Sequence, residues 1–139
     1  MAGTVYIDIV SPNGSVFKGE AERVRAPGVQ GTFEILHNHA PMIAAIELGP
    51  IYVTLASGER VAFATSGGFV EVLNNTVTVL AETAEPATAI DIERAKAAEA
   101  RALEDLKSSD EANRAKARQS LERARLRMSM RAVGTKKST

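Results

Sequence analysis

The sequence predicts a β-then-α chain: an N-terminal antiparallel β-sandwich followed by a C-terminal antiparallel two-helix hairpin. Two changes along its 139 residues carry that expectation. Up to about residue 85, short apolar segments alternate with a period of two between turn residues; beyond it, apolar residues recur every three or four positions. Charge divides at the same place. Residues 1–87 hold four basic side chains (Lys18, Arg23, Arg25, Arg60) against nine acidic, a net of −5, and residues 88–139 hold thirteen against eight, a net of +5.

The first strand is "VYIDIV", where Val5, Ile7 and Ile9 alternate with Tyr6 and Asp8. "PNG" at 12–14 turns the chain into short extended pieces at 16–18 and 22–26. "TFEIL", "MIAAIEL", "IYVTL", "RVAFAT", "FVEVL" and "TVTVLAE" follow as strands, punctuated by "HNHAP", "GP", "SG", "GG" and "NN". Flanking Pro41 and Pro50 mark "MIAAIEL" as a strand rather than a helix. Asn74–Asn75 reads as a tight hairpin, because asparagine tolerates positive φ. Strands at this spacing indicate a sandwich or barrel.

Pro86 closes the β region and biases Glu85 away from helical geometry. Either Thr88 or Asp91 can cap the helix that follows, which runs to about Lys107, where "KSSD" breaks it. Ser109 or Asp110 caps a second helix running to about Ala132. The organisation is therefore a sandwich over 1–85, a linker over 86–90, a hairpin over 91–133 and a polar tail over 134–139. The first helix presents Ala95, Ala98, Ala102, Leu103 and Leu106; the second presents Ala117, Leu121, Ala124 and Met128. Stripes made mostly of alanine let helices approach closely but bury little apolar area, so the hairpin is expected to dock lightly and to detach without unfolding the sandwich.

Much chemistry is excluded. The chain has no cysteine, so disulfides, thiol catalysis and cysteine-based zinc sites are absent. The N-terminus lacks the pattern of a secretory signal, and no apolar run approaches the roughly 18 residues of a membrane helix. "SGGF" at 66–69 has neither the lysine nor the spacing of a phosphate-binding loop; it suits two strands in close approach. His37 and His39, with Glu34, read as a turn before Pro41 rather than a metal site. No nucleophile elbow supports a hydrolase. The second helix has no aromatic residue to stack on nucleic-acid bases, and the absence of tryptophan argues against a sugar platform. From Arg114 onward there are nine basic residues and one acid, Glu122, which points to an acidic or anionic partner.

The order and spacing of "HAP" at 39–41, "SGGFVEV" at 66–72, "VTVLAETAE" at 77–85 and "IDIERAKAA" at 90–98 carry a resemblance over nearly the whole chain. It resembles the epsilon subunit of bacterial F-type ATP synthases, whose mitochondrial counterpart is called delta. The resemblance implies a non-catalytic rotor subunit whose sandwich packs beside the gamma subunit and touches the c-ring. Such a subunit couples proton-driven rotation to ATP synthesis on the alpha and beta subunits. It also implies a hairpin either folded on the sandwich or extended along gamma, the extended form inhibiting ATP hydrolysis. Partner contacts would come from His39 and Pro41 and, toward an acidic segment of beta, from Arg114, Arg118 and Arg125. The implied place is the cytoplasmic face of a bacterial inner membrane, reached only through partners. Family members commonly have Pro-Gly where this chain has His37–Asn38, and Leu-Gly where it has Phe33–Glu34.

Some members of that family bind regulatory ATP through Ile-Asp-x-x-Arg-Ala at the start of the first helix. Ile90, Asp91, Arg94 and Ala95 match that motif, and Arg101, Arg123, Arg127 and Glu85 correspond to the rest of the site. Helix geometry supports a cluster independently. With the turn centred near Ser109, antiparallel packing brings Arg94 level with Arg123 and Arg127, which are i, i+4 neighbours, and places Arg101 about 10 Å further along. The resemblance requires no cofactor, regulatory ATP being a ligand of some members only, and no catalytic residue is expected. The alternative reading is a stand-alone nucleotide- or anion-binding β-sandwich module.

Overall fold

A computed structural model describes residues 3–134 of the chain. The predicted polar tail, apart from Gly134, lies outside the described residues. Eight strands come first: β1 (Val5–Ser11), β2 (Gly14–Ala21), β3 (Arg23–Gly28), β4 (Gly31–Leu36), β5 (Met42–Thr54), β6 (Arg60–Leu73), β7 (Thr76–Ala81) and β8 (Ala84–Pro86). A 3-10 turn at Ala87–Ala89 leads into helix α1 (Ile92–Asp105), and α2 (Glu111–Gly134) returns beside it. The strands are hydrogen-bonded in the order β2-β1-β7-β6-β5-β3-β4, with β8 pairing β6, so the sheet folds into a sandwich that is not closed. Every pairing is antiparallel except β1 with β7, where Tyr6 lies opposite Thr76 and Val10 opposite Leu80 in a parallel ladder.

The alternation read from the sequence explains the core. Val5, Ile7 and Ile9 of β1 are fully buried, together with Val24, Ile35, Ile51, Val53, Val70, Val72, Val77 and Val79. Phe63 is the largest side chain among them and meets Phe17 with ring centroids 5.6 Å apart, closing the layer beside β2.

The structure joins segments that the sequence reading separates. "MIAAIEL" and "IYVTL" form one strand, β5, and "RVAFAT" and "FVEVL" form one strand, β6; their register runs unbroken from Met42 opposite Val72 to Thr54 opposite Arg60. Pro50 is tolerated because the ladder between β3 and β5 shifts register between Arg25 and Gly28, beside it, so its missing N–H breaks no regular pairing there. In β6 the inward phase changes. Phe63 points to the core and Ala62 and Ala64 away from it, whereas Val70 and Val72 point in and Phe69 and Leu73 out. Gly67 and Gly68, at φ of 131° and 143°, make that change of phase, as the close strand approach read at "SGGF" requires. The Asn74–Asn75 turn also follows expectation, both residues having positive φ (51° and 59°).

Asp91, not Thr88, caps α1: its Oδ1 accepts the Arg94 amide at 3.1 Å. Asp110 Oδ1 accepts the Ala112 amide at 3.0 Å and starts α2. The helices meet through Ala95 and Ala102 against Ala117, Leu121 and Ala124, all buried. Leu103 is not in that stripe but exposed, one residue and about 100° round the helix from Ala102. The hairpin rests on the outer side of β6, where Ala62, Ala64, Ala87, Ile90 and Met130 form a second, smaller buried cluster flanked by Tyr52 and Leu126.

Candidate functional site

The residues suggested for a nucleotide fall into two groups. Ile90 and Ala95 are buried, Ile90 in the seam between hairpin and sandwich, and Asp91 is used as the helix cap. Arg101, Arg123 and Arg127 instead line a hollow of about 240 Å³ on the hairpin, with Ala98, Ala102, Asp105 and Ser120. Arg123 and Arg127 also line a neighbouring hollow of about 240 Å³ with Thr65, Ser66, Thr83 and Glu85 of the sandwich. The helix register differs from the expectation. Glu99 pairs with Arg125 at 3.1 Å, so Arg101, rather than Arg94, is the arginine brought to Arg123 and Arg127. The same register carries Arg94, exposed on α1, past both arginines.

Charge in the two hollows is unevenly compensated. Arg127 is gripped by Glu85, Nε donating to Oε1 at 2.8 Å and Nη2 to Oε2 at 3.1 Å. Glu85 first, and Asp91 at longer range, hold the Arg127 guanidinium above its ordinary value against the opposing effect of its partial burial. Arg101 and Arg123 have no carboxylate within 4.0 Å among the described residues; Arg123 donates only to the Ser120 hydroxyl, at 3.2 Å. Two guanidinium groups without an ion-pair partner, set against the single Asp105 carboxylate that lines the same hollow, leave an excess of positive charge suited to an anion.

The residues suggested for partner contact are at the surface and mostly paired within the hairpin. Arg118 and Arg114 share Glu111, whose carboxyl they hold below its ordinary value. Arg114 also donates to the Ser108 carbonyl at 2.8 Å. Arg125 pairs with Glu99. In the sandwich, His39 Nδ1 lies 2.8 Å from the Ala40 carbonyl, and Pro41 is exposed next to the start of β5. His37 Nδ1 lies 2.8 Å from the Thr4 carbonyl, fastening the loop to the start of β1. Among the described residues no group of three or more His, Cys, Asp or Glu side chains is placed to hold a metal ion.

A further surface was missed by the sequence reading. Ala45, Phe69, Leu80 and Val10 lie in one cross-strand row on the outer face of β5, β6, β7 and β1. Ile43 and Leu73 extend this face, and Ile43, Phe69, Leu80 and Leu73 are 73%, 55%, 54% and 48% exposed. The signal was available in "FVEVL" and "TVTVLAE", whose outward positions carry Phe69, Leu73 and Leu80 where a solvated strand carries polar residues. Apolar area of this extent on a sheet face marks an interaction surface. No helix among the described residues is long and apolar enough to cross a membrane.

Comparison with known proteins places this geometry. The family described as ATP synthase, Delta/Epsilon chain, beta-sandwich domain matches residues 4–87. A protein of Salinibacter ruber named ATP synthase epsilon chain is 54% identical over 110 residues, covering 73% of this chain and 74% of its own. Another so named, from Nitratidesulfovibrio vulgaris, is 39% identical over 132 residues, covering 94% and 98%. Among solved structures, a chain in the mitochondrial ATP synthase of Euglena gracilis (OSCP/F1/c-ring, rotational state 1) superposes with a TM-score of 0.81 at 20% identity, covering 94% of this chain and 81% of that one. With the sandwich matched from β1 to the 3-10 turn, and relatives alike across the hairpin as well, the chain belongs to the ATP synthase delta/epsilon family.

Proposed function

We propose that the chain is a non-catalytic rotor subunit in the central stalk of a bacterial F-type ATP synthase, at the cytoplasmic face of the inner membrane. In this reading it helps couple proton translocation to ATP synthesis, and its C-terminal hairpin restrains ATP hydrolysis. The observation that carries the reading is the division of labour between the two outer sides of the sandwich. One side, over Ala62 and Ala64, is covered by the chain's own hairpin; the other, around Phe69 and Leu80, is apolar and uncovered. The uncovered side is the docking face for the gamma subunit, next to His39 and Pro41, with the c-ring at one end of the sandwich. Membership of the delta/epsilon family supports this assignment of partners.

The hairpin supplies the regulatory part. Its basic surface groups, including Arg114, Arg118 and Arg125, exchange their carboxylate partners within the hairpin for those of an acidic segment on the beta subunits when the hairpin extends. Regulatory ATP binds the folded hairpin, its phosphates taken by Arg101 and Arg123, whose lack of carboxylate partners supports that role.

The test is assembly and turnover. The chain should co-purify with gamma and c subunits, and the assembled complex should hydrolyse ATP faster when residues 88–139 are deleted. A solitary protein with turnover of its own rejects the rotor reading, and unchanged hydrolysis rejects the brake.

A further inference from the structure

Among the described residues, one side-chain polar tie crosses from the sandwich to the hairpin: Arg127 on α2 to Glu85 on β8. The other ion pairs lie within the strands or within the hairpin, such as Arg25–Glu34 and Arg125–Glu99. The side chains of the crossing pair are 25% and 34% exposed, so water screens it less than an open surface pair. Around it the seam is thin. Ala62, Ala64 and Ala87 contribute methyl groups, and Ile90 and Met130, flanked by Tyr52 and Leu126, supply the larger side chains. Ala95, Ala102, Leu121 and Ala124 are buried but lie outside the cluster that meets the sandwich.

We propose that Glu85 and Arg127 form a latch that holds the hairpin on the sandwich, and that breaking this pair releases α1 and α2 as one intact unit. The proposal rests on the mobile hairpin of the preceding reading and deepens it. A two-pronged Arg–carboxylate contact is directional, so it sets where α2 sits more sharply than the small apolar cluster around it, whose contacts are non-directional. Removing either partner leaves the other partly desolvated without compensation, which weighs further against the docked position.

Met130 reports the opening. Its thioether, 2% exposed when docked, takes one oxygen atom from hydrogen peroxide to give the sulfoxide and water only when peroxide reaches it. The full-length chain is treated with hydrogen peroxide, and sulfoxide formation is followed by mass spectrometry at Met130 and at half-buried Met42, with amide exchange in β7 as the measure of global unfolding. Glu85→Gln and Arg127→Gln should each speed oxidation of Met130 about tenfold, the factor that corresponds to 1.4 kcal/mol. Met42 and β7 should be unaffected, and the exchanged pair Glu85→Arg with Arg127→Glu should return the rate toward that of the original chain. Single variants that leave Met130 unchanged, while it oxidises faster than β7 exchanges, overturn the latch and leave the mobile hairpin standing. An exchanged pair as fast as the single variants also overturns it, because the effect is then one of packing. Oxidation of Met130 that tracks β7 exchange in every variant overturns the mobile hairpin, and the latch with it.

Discussion

Gly68 lies so close to the carbonyl oxygen of Leu80 on β7 that a Cβ added to it would overlap that oxygen and crowd the Ala81 Cα. Its φ of 143° is also outside the range that L side chains readily adopt. Both effects act in one direction. Gly68→Ala should destabilise the sandwich by at least about 2 kcal/mol, read as a lower urea midpoint at an unchanged slope.

Phe69, one residue further on, should show the opposite profile. Its ring stands on the uncovered face between Ala45 and Leu80, so replacing it removes little that the isolated chain uses. Phe69→Ser should cost about 1 kcal/mol or less in folding. Binding to the stalk partner should weaken roughly tenfold to a hundredfold, from the about 1.5–3 kcal/mol that burial of a phenylalanine contributes. Urea unfolding and a pull-down titration with the gamma subunit separate the two.

Arg101 and Arg123 should matter to nucleotide binding in a way that Arg118 does not, because only the first two line the hairpin hollow. Isothermal titration with ATP should show each of Arg101→Ala and Arg123→Ala weaken binding by about 1.5–3 kcal/mol, the size of a lost charge-assisted hydrogen bond. Arg118→Ala should leave the titration unchanged.

Acid should loosen the start of α2 before it affects the strands. Hydrogen bonds from Arg118 and then Arg114 hold the Glu111 carboxyl below its ordinary 4.5. A carboxylate with a depressed value in the folded chain contributes stability that is present above its unfolded value and is lost as pH falls through the folded one. Amide exchange at Asn113 to Lys116 should therefore accelerate below about pH 4.5, and the effect should shrink in high salt because Glu111 is exposed.

Most of the strand content was legible because most inward positions carry Val, Ile or Phe in alternation, as in Val5, Ile7 and Ile9. The continuity of β5 and β6 was not. Pro50 and the Gly67–Gly68 pair are breakers in sequence, and only the register across four strands shows that they bend a ladder rather than end it. The hairpin followed from the change of period, but its register did not, since a turn placed near Ser109 in sequence does not specify the offset of the helices that the pairing of Glu99 with Arg125 shows. Met130 escaped for the same reason: it lies off the α1-facing stripe of α2 and is buried by the sandwich instead. Of the suggested site, Arg101, Arg123 and Arg127 were named by resemblance, while spacing put Arg94 in the place that Arg101 takes, and the grip of Glu85 on Arg127 required the fold.

The parallel ladder between β1 and β7 ties the beginning of the chain to a segment about 70 residues later. During synthesis the first strand therefore leaves the ribosome with only β2 to pair with, and its other edge stays open until Thr76–Ala81 has emerged. Loop closure over that span sets a slow, late step. A nascent chain stalled before residue 76 should carry an unsatisfied edge on β1, open to pairing with strands of other chains.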